Sequence, residues 1–213
     1  MEKKQQNGVK LHQALYDVLR DKLSNFTYYG ETYNAEQAMR LNKGNCMSLA
    51  ILTTAYAQLL GIEYAYREVR TVPIFEKKNN LIISSSHVQT ILYDDEFSAA
   101  PSTYYFSKPG LVIDYFPDSN NSAGKYLNKS DFISMYYKNL AGDALVENDL
   151  ASAFMFDNKA YDANKQNVEA INLLAIIHRR AGDNNGAEAI YKAGLKYEQK
   201  NLRLLSNYIM LLK

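Results

Sequence analysis

Gly44-Asn45-Cys46-Met47-Ser48-Leu49-Ala50-Ile51-Leu52-Thr53-Thr54-Ala55-Tyr56-Ala57-Gln58-Leu59-Leu60-Gly61 is the stretch on which the reading of this chain turns. Gly44-Asn45 breaks the chain, the run from Cys46 to Leu60 is apolar at helical spacing, and Gly61 supplies a C-terminal stop. Upstream, Leu11, Leu15, Val18, Leu19 and Leu23 predict a helix from about Val9 to Phe26, ended by Gly30. A second helix is expected over Ala35–Leu41, with Asn34 as N-cap and Gln37 as its capping-box partner. Downstream the period changes. Ile62–Val72, Leu81–Tyr93 and Leu111–Phe116 are rich in β-branched and aromatic residues and read as strands. Lys77-Lys78-Asn79-Asn80 and Asp94-Asp95-Glu96 read as turns between them, and Pro117–Ala123 as a solvated loop. Helices followed by antiparallel strands imply an α+β domain.

From about Ser134 the period returns to 3.6 and holds to the end. At an offset of 34 residues, Tyr137, Leu140, Ala141, Asn148-Asp149, Ala153 and Ala160 align with Ile171, Leu174, Ala175, Gly182-Asp183, Ala187 and Gly194. Leu205 and Tyr208 open a partial third copy. Small residues where paired helices touch, and Gly-Asp at the turn between them, resemble a tetratricopeptide repeat. The Pro usual between such repeats is missing from both copies, and any pair of helical hairpins is the plainer alternative. The expected division is therefore 1–133 for the α+β domain and 134–213 for an all-α helical array.

Size and composition agree with that division. The chain has 213 residues and is 47% hydrophobic and 22% charged, so it can build a core without staples. Its 24 Lys+Arg against 23 Asp+Glu leave a net charge of +1, which predicts no strong pull on nucleic acid. One cysteine excludes an internal disulfide and a multi-thiolate metal site. No stretch approaches the ~20 apolar residues of a membrane helix. Met1-Glu-Lys-Lys-Gln-Gln-Asn-Gly has charge with no apolar core behind it, so no signal peptide is expected and the compartment stays open. Eighteen Tyr with no Trp suit wet clefts and helix seams, where an apolar ring carries a polar tip.

Three residues draw chemical interest. Cys46 opens a helix, where unpaired N–H groups and the dipole favour the reactive thiolate. It also shares a face with Leu49, Ala50, Thr53, Ala57 and Leu60, which is the pattern of a buried structural cysteine. His87 lies in the strand Ser84-Ser-Ser-His-Val-Gln-Thr-Ile-Leu, on the side of Gln89 and Ile91. His12 sits on the first amphipathic helix and His178 at an aromatic-type position of the repeat. Asp114, in Leu111-Val-Ile-Asp-Tyr-Phe-Pro, is a carboxylate among apolar neighbours and needs a partner. An imidazole N–H would serve and would fix the tautomer of a general base. The plainer reading of Asp114 is a strand-closing residue before Pro117.

Gly44-Asn45-Cys46-Met47-Ser48-Leu49, then Ser86-His87-Val88, then Val112-Ile113-Asp114, over roughly Tyr28 to Pro117, resemble the transglutaminase-like (papain-like) cysteine enzyme superfamily. That resemblance implies Cys46 as nucleophile, His87 as base and Asp114 as the residue orienting His87. It also implies an oxyanion donor upstream of the nucleophile, for which Gln37, Tyr28 and Tyr29 are candidates that spacing does not separate. No cofactor is implied. Zinc on Cys46, His87 and Asp114 is disfavoured, because structural zinc takes more thiolates and catalytic zinc more histidines. The expected function is acyl transfer at an amide of a protein or peptide held by the helical array, ending in hydrolysis or in transfer to an amine. The alternative is an inactive fold that serves protein–protein interaction through its repeats.

Overall fold

Asn34 and Gln37 perform the role their spacing predicts. In the computed structural model, which describes residues 8–23, 26–28, 30–70, 76–78, 81–83, 87–119 and 121–213, Asn34 Oδ1 accepts from the Gln37 N–H at 2.9 Å. Gln37 Oε1 accepts in turn from the Asn34 N–H at 3.2 Å. Helix α1 (Leu11–Leu23) precedes this box, which opens α2 (Ala35–Leu41). Strand β1 (Thr27–Tyr28) pairs in parallel with β2 (Lys43–Gly44), and α3 (Cys46–Leu59) follows at once. Gly61, at φ +68, ends α3 in the left-handed conformation that glycine adopts freely.

The chain is α+β, with eight helices and a four-stranded antiparallel sheet among the described residues. Met1–Val72 and Ser86–Leu127 form one compact unit; Asn128–Lys213, with the segment Pro73–Ser85, forms the other. The sheet of the first unit runs β7-β6-β3-β8, from β3 (Tyr64–Arg70), β6 (His87–Tyr93), β7 (Gly110–Asp114) and β8 (Ser122–Leu127). A separate hairpin joins β4 (Glu76–Lys78) to β5 (Leu81–Ile83), and Asn79-Asn80 of its expected turn lie outside the described residues.

Strand β8 corrects the sequence reading, which ended the sheet at Phe116 and made Pro117–Ala123 a loop. It is an edge strand in which Leu127 alone is buried, so it carries no alternating signal. A Cβ on Gly124 would stand 2.7 Å from the Glu68 carbonyl oxygen, so the close approach to β3 calls for glycine.

Helix α3 is buried on most of its surface, and a cluster of hydroxyls pins it to the sheet. Tyr115 Oη lies 2.8 Å from both Thr53 Oγ1 on α3 and Thr90 Oγ1 on β6. The Tyr66 hydroxyl reaches Thr54 Oγ1 at 2.8 Å. Val88, Thr90 and Leu92 are fully buried on that side of β6. Tyrosine thus brings ring area and polar tip into a core that has no tryptophan.

The second unit is a run of antiparallel helices, α4 (Lys129–Val146), α5 (Leu150–Ala163), α6 (Val168–Arg180), α7 (Asn184–Tyr197) and α8 (Leu202–Leu211). Helix α4 starts five residues before the periodic pattern, because Asn128 and Asp131 form a second capping box. Features recur at the 34-residue offset. Asn148 and Gly182 take positive φ at the turns, and Asp149 and Asp183 cap α5 and α7. Asn167 and Asn201 cap α6 and α8. Ala141, Ala175, Ala153 and Ala187 are fully buried where helices meet. At Gly194 a Cβ would lie 2.8 Å from Ile171 Cγ2, so α6 and α7 touch through a missing side chain. Two buried groups lack a hydrogen-bond partner among the described residues: both carboxylate oxygens of Asp157 on α5, and the Tyr191 hydroxyl on α7.

Candidate active site

The segment before Cys46 holds the first turn of α3 in place. Gly44 has φ +150, and a Cβ there would meet Ser48 Cβ at 2.6 Å, so neither the backbone nor the space admits a side chain. Asn45 caps α3 by accepting from the Ser48 N–H at 3.0 Å. Its amide group donates to Thr32 Oγ1 at 2.8 Å and to the Gly30 carbonyl at 3.2 Å. Ser48 Oγ then accepts from the Tyr33 N–H at 2.7 Å. Gly44, Asn45 and Ser48 therefore bind the loop 30–33 to the helix end. Between them Cys46 takes the first helical position, 3% exposed and near enough to Tyr115 to act on its phenol electrostatically.

His87 and Asp114 meet across neighbouring strands. His87 Nε2 lies 2.7 Å from Asp114 Oδ1, and Phe116 stands edge-on to the imidazole with ring centroids 6.1 Å apart. Asp114 Oδ1 also accepts from the Phe116 N–H at 3.0 Å, while Asp114 Oδ2 accepts from Gln89 Nε2 at 2.6 Å. Desolvation pushes this carboxyl up, but the hydrogen bonds from His87, Gln89 and Phe116 outweigh it and hold the group below the ordinary carboxylate value. Gln89 Oε1 in turn accepts from Arg67 Nε at 3.2 Å and Nη2 at 2.8 Å. Arg67 stands opposite Gln89, and Gln89 opposite Asp114, so the three form a row across β3, β6 and β7. Sequence reasoning placed Gln89 on the side of His87 but gave it no role. The i, i+2 spacing was the available signal, whereas Arg67 depends on a register that one sequence does not reveal.

Cys46 and His87 lie at the same end of the helix–sheet pair. Thr53, Tyr115 and Thr90 fix the register between α3 and β6. From that cluster, seven helical residues lead back to Cys46, ~10 Å at 1.5 Å each. Three strand residues lead back to His87, ~10 Å at 3.3 Å each. The two walks run in the same direction: β6 is antiparallel to β3, and so is α3, whose Gln58 meets Tyr64 and whose Thr54 meets Tyr66. Thr90 turns toward α3, so by alternation Gln89 and His87 belong to the other side of β6, with His87 at the strand's first residue.

The three oxyanion candidates stand apart from one another in their circumstances. Gln37 is exposed and its side-chain oxygen serves the capping box. Tyr28 belongs to β1, paired with Gly44, and Tyr29 lies outside the described residues. A small cleft of about 110 Å³ runs along Asp114, lined by Tyr16, Leu19 and Arg20 of α1 and by Ile113.

The other histidines have partners of their own. His178 Nδ1 lies 2.8 Å from Asp183 Oδ2, beside the Phe154 ring. His12 faces Asp94 and Asp95, and these three could offer ligand atoms to a cation. However, the Lys10 ammonium already sits 2.5 Å from Asp94, so the group balances its charge with protein cations. Among the described residues no helix is long and apolar enough to cross a membrane. No family model matches the chain, and no curated protein matches it.

Proposed function

We propose that the first unit is a transglutaminase-like cysteine enzyme acting on an amide bond of a protein or peptide, with Cys46 as nucleophile, His87 as base and Asp114 as the residue that orients it. The observation that carries this reading is the 2.7 Å contact of His87 Nε2 with Asp114. A carboxylate on Nε2 favours the proton there and leaves Nδ1 with the lone pair that a general base needs. The thiol proton of Cys46 passes to His87 Nδ1 as sulfur forms a bond to the carbonyl carbon. The tetrahedral intermediate then collapses, the C–N bond breaks, and the imidazolium protonates the departing amine. Water or a second amine attacks the thioester, His87 takes its proton, and the C–S bond breaks to return the thiol. His87 is the first residue of β6, so the reaction needs its imidazole to meet Cys46 around the strand end, with the substrate between them. The helices of the second unit, read as tetratricopeptide-like repeats, would hold the peptide.

A second reading has its own observation. Cys46 is 3% exposed, as a structural cysteine would be. On that reading the first unit is an inactive relative of the enzymes and the helical array serves a protein partner. Activated acyl esters and short peptide amides, incubated with the full chain and followed by intact mass, separate the two. The enzyme reading expects an acyl group on Cys46 that hydroxylamine releases and that Cys46→Ser lacks. A folded native chain that no ester acylates contradicts it.

A further inference from the structure

We propose that Gln89, oriented by Arg67, is a positioning residue that fixes the Asp114 carboxylate against His87. The inference rests on the reading of His87 as a base and adds a member to that site. A primary amide has a donor end and an acceptor end, and a buried one keeps a single orientation only if its neighbours demand it. Here they do. Arg67 is a donor only and meets Gln89 Oε1 with two N–H groups, at 3.2 and 2.8 Å. Ionised Asp114 is an acceptor only and takes Gln89 Nε2 at 2.6 Å. Reversing the amide would set donor against donor and oxygen against oxygen, so Arg67 decides which end faces Asp114.

The consequence falls on the carboxylate. With Oδ2 held by Gln89, Asp114 cannot turn about its last torsion, and Oδ1 stays where His87 Nε2 and the Phe116 N–H both meet it. Gln89 itself is 8% exposed, so water is a poor substitute for the bond it gives. Arg67 and Gln89 both lie on the sheet side that carries His87, in register with Asp114, and neither of them bonds to the imidazole. They act on His87 through Asp114, which makes them positioning residues.

The test reads the imidazole directly. In the full chain labelled with ¹⁵N at histidine, long-range proton–nitrogen spectra report which ring nitrogen of His87 carries the proton; His87→Gln assigns the signal among the three histidines. The native chain is expected to hold the Nε2–H tautomer. Gln89→Leu, close in volume, is expected to give a mixture of tautomers, and Arg67→Lys, which keeps one donor, a smaller change of the same sign. In parallel, Gln89→Leu is expected to slow Cys46 alkylation at pH 6 about tenfold, on the scale of one hydrogen bond, while leaving the rate at pH 9.5 unchanged. A folded Gln89→Leu chain with the native tautomer overturns the proposal; should that variant not fold, a native tautomer in Arg67→Lys overturns it. A native Cys46 that alkylates as an ordinary thiol refutes the catalytic reading instead, and the tautomer still decides the role of Gln89.

Discussion

Replacing Asp157 by Asn should make the protein more stable, against the usual trend for a buried substitution. Both Asp157 oxygens are buried without hydrogen-bond partners among the described residues. Desolvation pushes the carboxyl up to about 8, with the Lys138 ammonium pulling the other way. In the unfolded chain the group titrates near ~3.9. A carboxyl raised on folding contributes stability that is intact below ~4 and is lost as pH rises toward 8. By linkage the native fold forfeits up to ~4 kcal/mol at pH 7 and only ~1–2 kcal/mol at pH 5. Relaxation and water entry bring the real penalty below these ceilings, so a gain of ~2 kcal/mol at pH 7 is expected. Asn keeps the volume and has no charge to bury. Urea unfolding of the native chain and Asp157→Asn at pH 5, 7 and 9 should give a gap that widens from pH 5 to 7 and levels off above 8. A gap that is absent, or that does not change with pH, refutes the reasoning.

Two further substitutions test the site. Gly44→Ala combines a forbidden φ with a clash against Ser48 and is expected to cost ~2–3 kcal/mol in urea unfolding; a loss under ~0.5 kcal/mol contradicts the account of that turn. Asp114→Asn probes the opposite sign to Asp157. A carboxyl held low on folding contributes stability above the ordinary carboxylate range and loses it as pH falls through its folded value. The variant should be ~1 kcal/mol less stable at pH 7, after allowance for screening at a partly exposed site, and should converge with the native chain in acid.

What the sequence made legible was local. The Asn34–Gln37 box, the helix opening at Cys46 and the left-handed stop at Gly61 each follow from residues within one turn of one another. The His87–Asp114 contact was legible in chemistry, since a carboxylate in Leu111-Val-Ile-Asp needs a donor and few were on offer. Strand β8 was not legible, because an edge strand with a glycine pressed against Glu68 shows neither alternation nor β-branched residues. Arg67 was hidden for another reason: Arg67 meets Gln89 only through the pairing of β3 with β6, and a shift of one residue would turn it to the other side of the sheet. Asp157 gave no warning either, because a polar residue in an amphipathic helix reads as solvent-facing until the neighbouring helices are in place.

The central claim is that His87 activates Cys46, and the chain's single cysteine lets it be measured without ambiguity. The measurement is the rate of iodoacetamide alkylation against pH for the native chain and for His87→Ala, compared by the shape of the profile, since burial of Cys46 scales both rates alike. The account predicts that native Cys46 keeps reacting below pH 7 and that His87→Ala reacts only near the ordinary thiol value of ~8.5. Superimposable profiles, or a cysteine that reacts only once the chain is unfolded, would contradict it.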